Sequence, residues 1–156
     1  LPPGTGDIHL SLVQSVPLTG AIVVSTPQNI ALADARKGVN MFRMESIDVP
    51  VLGMIENMSY FAVDDDPKNR HYIFGKEGAK GLAEQMEIEL LSEIPIVQSI
   101  REAADAGRPA ILQDSTLISS SLMKMATNVV GAVVERNKNL KPTETVKITH
   151  SKGCSN

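Results

Sequence analysis

The sequence opens with Leu1-Pro2-Pro3-Gly4-Thr5-Gly6-Asp7, and this stretch decides the predicted fold. Its prolines and glycines are incompatible with the interior of a helix or a strand, so it is predicted to be a tight loop. Asp7 and the apolar residues after it predict a helix over residues 7–15, with Asp7 as N-cap, that ends before Pro17. A glycine-rich turn before a helix points backbone N–H groups outward, which suits an anion. On spacing alone, an ordinary strand-to-helix turn is the favoured interpretation.

The opening stretch, followed by Ile-His-Leu-Ser-Leu, resembles the switch segment of the Mrp/ApbC family. Members of that family are P-loop ATPases of the MinD/ParA-like class that carry iron–sulfur clusters. In the family an Asp that helps to hold Mg²⁺ stands directly before this Leu. The resemblance implies that the chain is the C-terminal part of a longer protein, and that Gly4, Thr5 and Gly6 sense the γ-phosphate of ATP.

Composition excludes several classes of function. The chain has 156 residues, 42% of them hydrophobic, and a formal net charge of −3, which gives no support to the basic face that nucleic-acid binding needs. Aromatic residues make up 3%, too few for base-stacking platforms. No apolar run approaches the roughly 20 residues of a membrane helix, so no transmembrane segment is expected. The single cysteine, Cys154, excludes an internal disulfide framework and fits a reducing cytoplasm.

Alternating apolar and amphipathic segments predict an α/β fold with a parallel sheet. The predicted strands are residues 20–25, 50–55 and 90–95, and the predicted helices after the first are residues 30–44, 75–86, 99–106 and 115–137. With the resemblance, this is the C-terminal part of a P-loop NTPase fold with helices on both faces of the sheet. Residues 1–137 form this part of the domain, and residues 138–156 are expected to be a polar, mobile tail. If an upstream part supplies the central strands, the first strand carries an unpaired apolar edge.

Asn57 and Pro95 are the candidates for contact with a base. Asn57 follows a predicted buried strand, where open α/β sheets place ligands, and its amide offers the donor and acceptor that adenine requires. The segment Gly53-Met54-Ile55-Glu56-Asn57-Met58-Ser59 resembles the family segment whose Asn reads adenine. Pro95 ends another predicted strand, in a segment that packs beside the base in related ATPases. The alternatives are an Asn that caps its own turn and a simple strand stop.

Two further segments match the family without a catalytic assignment. Thr26-Pro27-Gln28 resembles a Thr-Pro-Gln segment that positions the next helix. In the helix after it, Asp34, Arg36 and Lys37 lie off the apolar face. Such charges are usually solvated, but in MinD/ParA-like proteins this helix can take part in the dimer contact.

The loop between Phe61 and Ile73 departs from the family pattern. Many members carry a C-x-x-C pair there, and two pairs can hold an iron–sulfur cluster across a dimer. This chain has Ala62-Val63-Asp64-Asp65-Asp66 instead, which makes a bound cluster doubtful. The aspartates are expected to be a solvated turn, and Cys154 a free tail thiol. His9, His71 and His150 lack the spacing of metal ligands, so no metal site is predicted, and His9 is expected to be a partly buried helix residue.

The chain contains no G-x-x-x-x-G-K-[ST] sequence, so on its own it is not expected to bind ATP well or to hydrolyse it. The resemblance covers about residues 1–136 and implies part of an ATP- and Mg²⁺-dependent iron–sulfur cluster carrier, a cytoplasmic homodimer switched by nucleotide. Its partners would be iron–sulfur acceptor or scaffold proteins. Two alternatives stay open: a MinD/ParA-like partitioning or positioning ATPase, and a non-catalytic interaction module.

Overall fold

The computed structural model describes residues 1, 4–63, 66, 68–113 and 116–145. The helices are α1 (Asp7–Ser15), α2 (Asn29–Phe42), α3 (Gly78–Gln85), α4 (Gln98–Asp105) and α5 (Leu117–Asn139). The strands are β1 (Ala21–Ser25), β2 (Val51–Ala62), β3 (Arg70–His71) and β4 (Leu90–Ile96). The order of the predicted elements is confirmed, and β3 is an addition that the sequence did not reveal. Residues 146–156, most of the predicted tail, lie outside the described residues.

The sheet is built around β2. β1 and β4 run parallel to β2 on its two sides, and β3 pairs antiparallel with the end of β2 through Phe61 and Ala62. The three long strands are apolar and largely buried, as expected of parallel strands with helices on both faces. The predicted α/β fold with a mainly parallel sheet is therefore confirmed.

Helices cover both faces of the sheet. Met54 packs with Ala79 and Leu82 of α3, whereas the next residue, Ile55, packs in the cluster that contains Ile118 of α5. Because successive side chains of a strand point to opposite faces, α3 and α5 lie on opposite sides of β2. Near the start of β1, a third apolar cluster joins α1 to the end of α2, and Val13 of α1 lies at its centre.

The edge of β1 carries the exposed apolar surface that the sequence predicts. Among the described strands, β1 pairs with β2 alone, and its fourth residue, Val24, is 59% exposed. An unpaired apolar edge invites pairing with another strand.

The start of α1 differs from the prediction. Its N-cap is Gly6 rather than Asp7, and no side chain caps it. Asp7 is instead the first helical residue, where a carboxylate still complements the helix dipole. His9 is more deeply buried than expected, at 6% exposure.

Helix α5 corrects the expectation about apolar length. Among the described residues it is the one helix long and apolar enough to cross a membrane, with a mean hydropathy of 1.4, and 6% of that window is buried. One face of α5 packs on the sheet through Ile118 and its neighbours. The other face exposes Met123, Val130 and Val134. Length and composition alone do not separate a membrane helix from one that packs on a sheet.

Candidate functional site

The carboxyl ends of the parallel strands bring two of the predicted site residues, Asn57 and Pro95, to one edge of the sheet. In register, Ser25 of β1 lies beside Glu56 of β2, and Glu56 lies beside Glu93 of β4. The residues that follow each of these positions therefore share the same edge of the sheet. Ligands of open α/β sheets bind beyond this edge, at the carboxyl ends of the strands.

Asn57 lies within β2 and not after its end, because β2 continues to Ala62. The prediction that the strand stops before Asn57 is wrong. Pairing with β4 is irregular between Asn57 and Phe61, and Met58 adopts a left-handed φ of 56°. The side-chain Oδ1 of Asn57 accepts a hydrogen bond from Met58 N at 3.0 Å. The pairing of β2 with β4 is thus interrupted next to the side-chain amide of Asn57. Strand bulges near ligand sites typically interrupt pairing in this way.

Pro95 lies next to Asn57 across the sheet. Asn57 is in register with Ile94, and Pro95 follows it in β4. β4 continues to Ile96, so the prediction that Pro95 stops the strand is wrong. The described part of the chain gives β4 one strand neighbour, and proline is tolerated on such edge strands. Pro95 is less than 2% exposed, so its side chain is buried among the other residues of this chain.

The glycine turn at the start of α1 is exposed. Gly4 adopts a φ of 92°, which favours glycine, and His9 N donates to Gly6 O at 3.0 Å in the first helical turn. Among the described residues, no hydrogen bond or ion pair joins Gly4, Thr5 or Gly6 to Asn57. Their convergence on one nucleotide stays a prediction.

Glu56 is a site residue that the sequence reasoning missed. Its side chain is 0% exposed, and its Oε2 accepts a hydrogen bond from Ala79 N at the start of α3, at 2.6 Å. Burial raises the pKa of Glu56, the hydrogen bonds from the backbone of Ala79 and Lys80 lower it, and the charges of Glu93 and Glu77 add to the rise, so that the net shift is upward. The available signal was a carboxylate at the end of an apolar run, directly before Asn57.

The charged residues of α2 divide into two groups. Lys37 Nζ lies 3.1 Å from Asp34 Oδ1, and both side chains are more than half exposed, as expected of solvated charges. Arg36 instead reaches α3, where its Nη2 donates to Gln85 Oε1 at 2.6 Å. Arg36 thus helps to fix α2 against α3.

The loop that lacks the C-x-x-C pair is the tip of the β2–β3 hairpin. Asp66 forms a turn in which its Oδ1 accepts from Lys68 N at 2.9 Å, and Asp64 and Asp65 lie outside the described residues. At the base of the hairpin, the Arg70 guanidinium lies 4.3 Å from the centre of the Tyr60 ring. Within the described ranges no three His, Cys, Asp or Glu residues could hold a metal ion. Cys154 and His150 lie outside those ranges.

Comparison with known families gives one match over most of the chain. Residues 1–130 match the family described as ParA: NUBPL iron-transfer P-loop NTPase. The Iron-sulfur cluster transfer protein NUBPL of Mus musculus is 44% identical over 140 residues, which are 88% of this chain and 41% of that protein. The Iron-sulfur cluster carrier protein of Deinococcus radiodurans is 47% identical over 137 residues, which are 87% of this chain and 38% of that protein. The chain thus spans less than half the length of either relative.

Solved structures give the same fold. A nucleotide-binding protein of Archaeoglobus fulgidus, in complex with ADP, is 41% identical with a TM-score of 0.57 over 69% of this chain and 43% of that chain. The cell division ATPase MinD of Pyrococcus furiosus has a TM-score of 0.54 at 22% identity, over 72% of this chain and 43% of its own. The second similarity concerns the fold alone.

Proposed function

The chain belongs to the NUBPL-like, ParA-type family of iron-transfer P-loop NTPases, and we propose that it supplies the adenine-contacting side of the nucleotide site in an iron–sulfur cluster carrier ATPase. Asn57 reads the base, and Pro95 packs beside it. The observation that carries this proposal is the position of Asn57 next to Ile94 and Pro95 at the carboxyl edge of the sheet.

The proposed nucleotide site needs parts that this chain does not contain. The P-loop that cradles the phosphates and its Ser or Thr ligand to Mg²⁺ belong to the upstream part of the full-length protein. Gly4, Thr5 and Gly6 then lie on the γ-phosphate side, where backbone N–H groups before a helix favour an anion. ATP binding and hydrolysis would switch a homodimer between two states with different affinity for cargo. The ADP complex of the Archaeoglobus fulgidus protein supports nucleotide binding.

The cargo in this proposal is an iron–sulfur cluster, and the partners are the proteins that supply and accept it. Relatives with 44% and 47% identity are named for cluster transfer and cluster carriage. The loop from Phe61 to Ile73 offers no thiolate, so the ligands of the cargo come from outside that loop. We place the protein in a reducing compartment, the cytoplasm, although the relative from Arabidopsis thaliana is named as mitochondrial.

A second function has one observation in its favour. The outer face of α5 exposes Met123, Val130 and Val134, an apolar surface that a positioning ATPase of the MinD type could use for association with a membrane. The helix carries few basic residues, so attraction to anionic lipids would be weak. Binding of the full-length protein to anionic vesicles would favour this function over cluster carriage.

The test uses the full-length protein and the variant Asn57→Ala. Loss of two hydrogen bonds to adenine, at about 1 kcal/mol each, predicts a roughly 30-fold weaker affinity for ADP by calorimetry. Asn139→Ala removes the same amide from the exposed end of α5 and should leave the affinity unchanged. Anaerobic reconstitution with iron and sulfide, followed by absorbance, tests the cargo. Equal ADP affinity of Asn57→Ala and Asn139→Ala would overturn the assignment of Asn57 to the base. A wild-type protein that takes up no cluster would overturn the assignment of the cargo.

A further inference from the structure

Glu56 is a buried ionisable residue that the proposed nucleotide contacts do not use. We propose that Glu56 is a positioning residue for the nucleotide site, since its carboxylate fixes the start of α3 to the strand position from which Asn57 projects. The inference rests on the proposed function, because it assigns Asn57 to the base.

Helix α3 depends on Glu56 for the satisfaction of its first N–H groups. The N-cap of α3 is Glu77, which has a left-handed φ of 54° and makes no side-chain cap hydrogen bond. The amide of Ala79, two residues further, donates to Glu56 Oε2 at 2.6 Å. A helix start leaves several N–H groups without partners, and a carboxylate satisfies them with a charge-assisted bond that also complements the helix dipole. The cap of α3 therefore comes from β2.

The start of α3 is also packed against the turn that follows β1. A Cβ at Gly78 would lie against the carbonyl oxygen of Pro27 and at 2.9 Å from Leu32 Cδ1, so the two backbones are in close contact. The carbonyl of Pro27 lies near Gly75 as well. These contacts form one junction at the carboxyl edge: Glu56 of β2 is bonded to the start of α3, and the start of α3 packs on the turn after β1.

The strand geometry connects this junction to Asn57. Glu56 and Met54 are on the same face of β2, the face that packs on α3, and alternation turns Asn57 to the opposite face. Asn57 is paired with Ile94, and after Asn57 the pairing with β4 becomes irregular. A hydrogen bond from the preceding residue to a helix end limits the rotation of the backbone from which the Asn57 amide projects.

The hydrogen bond needs an acceptor at position 56 but not a negative charge. Glu56 Oε1 is buried and has no hydrogen-bond partner among the described residues. Burial, and after it the charges of Glu93 and Glu77, raise the pKa of Glu56 and so disfavour its ionisation. A glutamine carbonyl in the place of Oε2 could accept from Ala79 N with the same geometry. A leucine at position 56 fills the volume of the Glu56 side chain but offers no acceptor for Ala79 N. An aspartate keeps the carboxylate but is shorter by one methylene, which moves the carboxylate away from Ala79 N.

The experiment measures the preference for ADP over GDP in the full-length protein, by calorimetry. We expect Glu56→Leu to reduce this preference at least fivefold, because a displaced Asn57 loses its contacts with adenine while the phosphate contacts remain. Glu56→Gln should retain the preference within about twofold. Val49→Ala, in the apolar cluster near the start of β1, is the control: it weakens the core away from Glu56 and Asn57 and should leave the preference unchanged.

Either of two results would overturn the inference: a Glu56→Leu protein with the wild-type preference, or a Glu56→Gln protein as defective as Glu56→Leu. If Glu56→Leu does not fold, Glu56→Asp decides, since it keeps the polarity, and an unchanged preference in Glu56→Asp would overturn the inference. A wild-type protein that shows no preference for ADP contradicts the proposed function instead, so the two failures can be told apart.

Discussion

The contact between the start of α3 and the turn after β1 can be tested with two alanine substitutions on one helix. At Gly78 an added Cβ would meet backbone atoms of Pro27, with its Cα at 2.9 Å, as well as Leu32 Cδ1 at 2.9 Å. At Gly81 an added Cβ meets nothing within 4 Å. Overpacking against backbone costs about 1–3 kcal/mol, because backbone cannot move aside as a flexible side chain can. Replacement of an unhindered helical glycine by alanine gains about 0.5–1 kcal/mol.

Gly78→Ala should therefore lower the free energy of unfolding, and Gly81→Ala should raise it, with about 1.5–4 kcal/mol between the two variants. Urea denaturation of the full-length protein measures both, and an unchanged slope ensures that the midpoints report stability. If Gly78→Ala is as stable as Gly81→Ala, the start of α3 does not rest on Pro27, and the junction around Glu56 is not as described.

Three other predictions concern Glu56, α5 and the isolated chain. Burial raises the pKa of Glu56 above its ordinary 4.5, so the folded protein binds this proton more tightly than the unfolded chain, and ionisation at higher pH costs stability. The variant Glu56→Gln should therefore gain stability relative to the wild type as the pH rises from 4.5, and the difference between their free energies of unfolding should be constant below that pH. A difference that does not change with pH in denaturation experiments would contradict this. Asn128→Ala should cost about 1 kcal/mol in urea denaturation, because Asn128 Nδ2 donates to Leu91 O at 2.6 Å, and an unchanged midpoint would show that this bond contributes nothing. The 156-residue chain alone should show no ATP turnover in a phosphate-release assay, and measurable turnover would contradict the assignment of the P-loop to the upstream part.

The helices and strands that could be predicted from the sequence are those marked by a pattern within their own residues. β1 and β4 are short apolar runs between turn residues, and their strand character was predicted with nearly the observed bounds. The second half of β2 was not predicted, because Asn57-Met58-Ser59 has the composition of a turn. Pairing with β4 and β3 overrides that local preference, and those partners lie far away in the chain.

The same distinction applies to the candidate site. Asn57 and Pro95 could be proposed from strand ends and from the family resemblance, and the structure places them on neighbouring strands. Glu56 could not be proposed, because its partner, Ala79, is 23 residues away and donates from its backbone, which no side-chain pattern reveals. The cap of α1 was misplaced by one residue for a related reason: glycine and aspartate both favour helix starts, and the sequence does not decide between Gly6 and Asp7.

The central claim is that the opening glycine turn and Asn57 contact the same nucleotide. Nuclear magnetic resonance of the isotope-labelled full-length protein tests it most directly, with titration of ADP and of a non-hydrolysable ATP analogue. We predict that the Asn57 side-chain amide shifts with both ligands. The backbone amides of Gly4 and Gly6 should shift only with the ATP analogue, with the same dissociation constant as the Asn57 amide. Saturable binding that leaves the Asn57 amide unshifted, or that moves Gly4 and Gly6 equally with ADP, would contradict it.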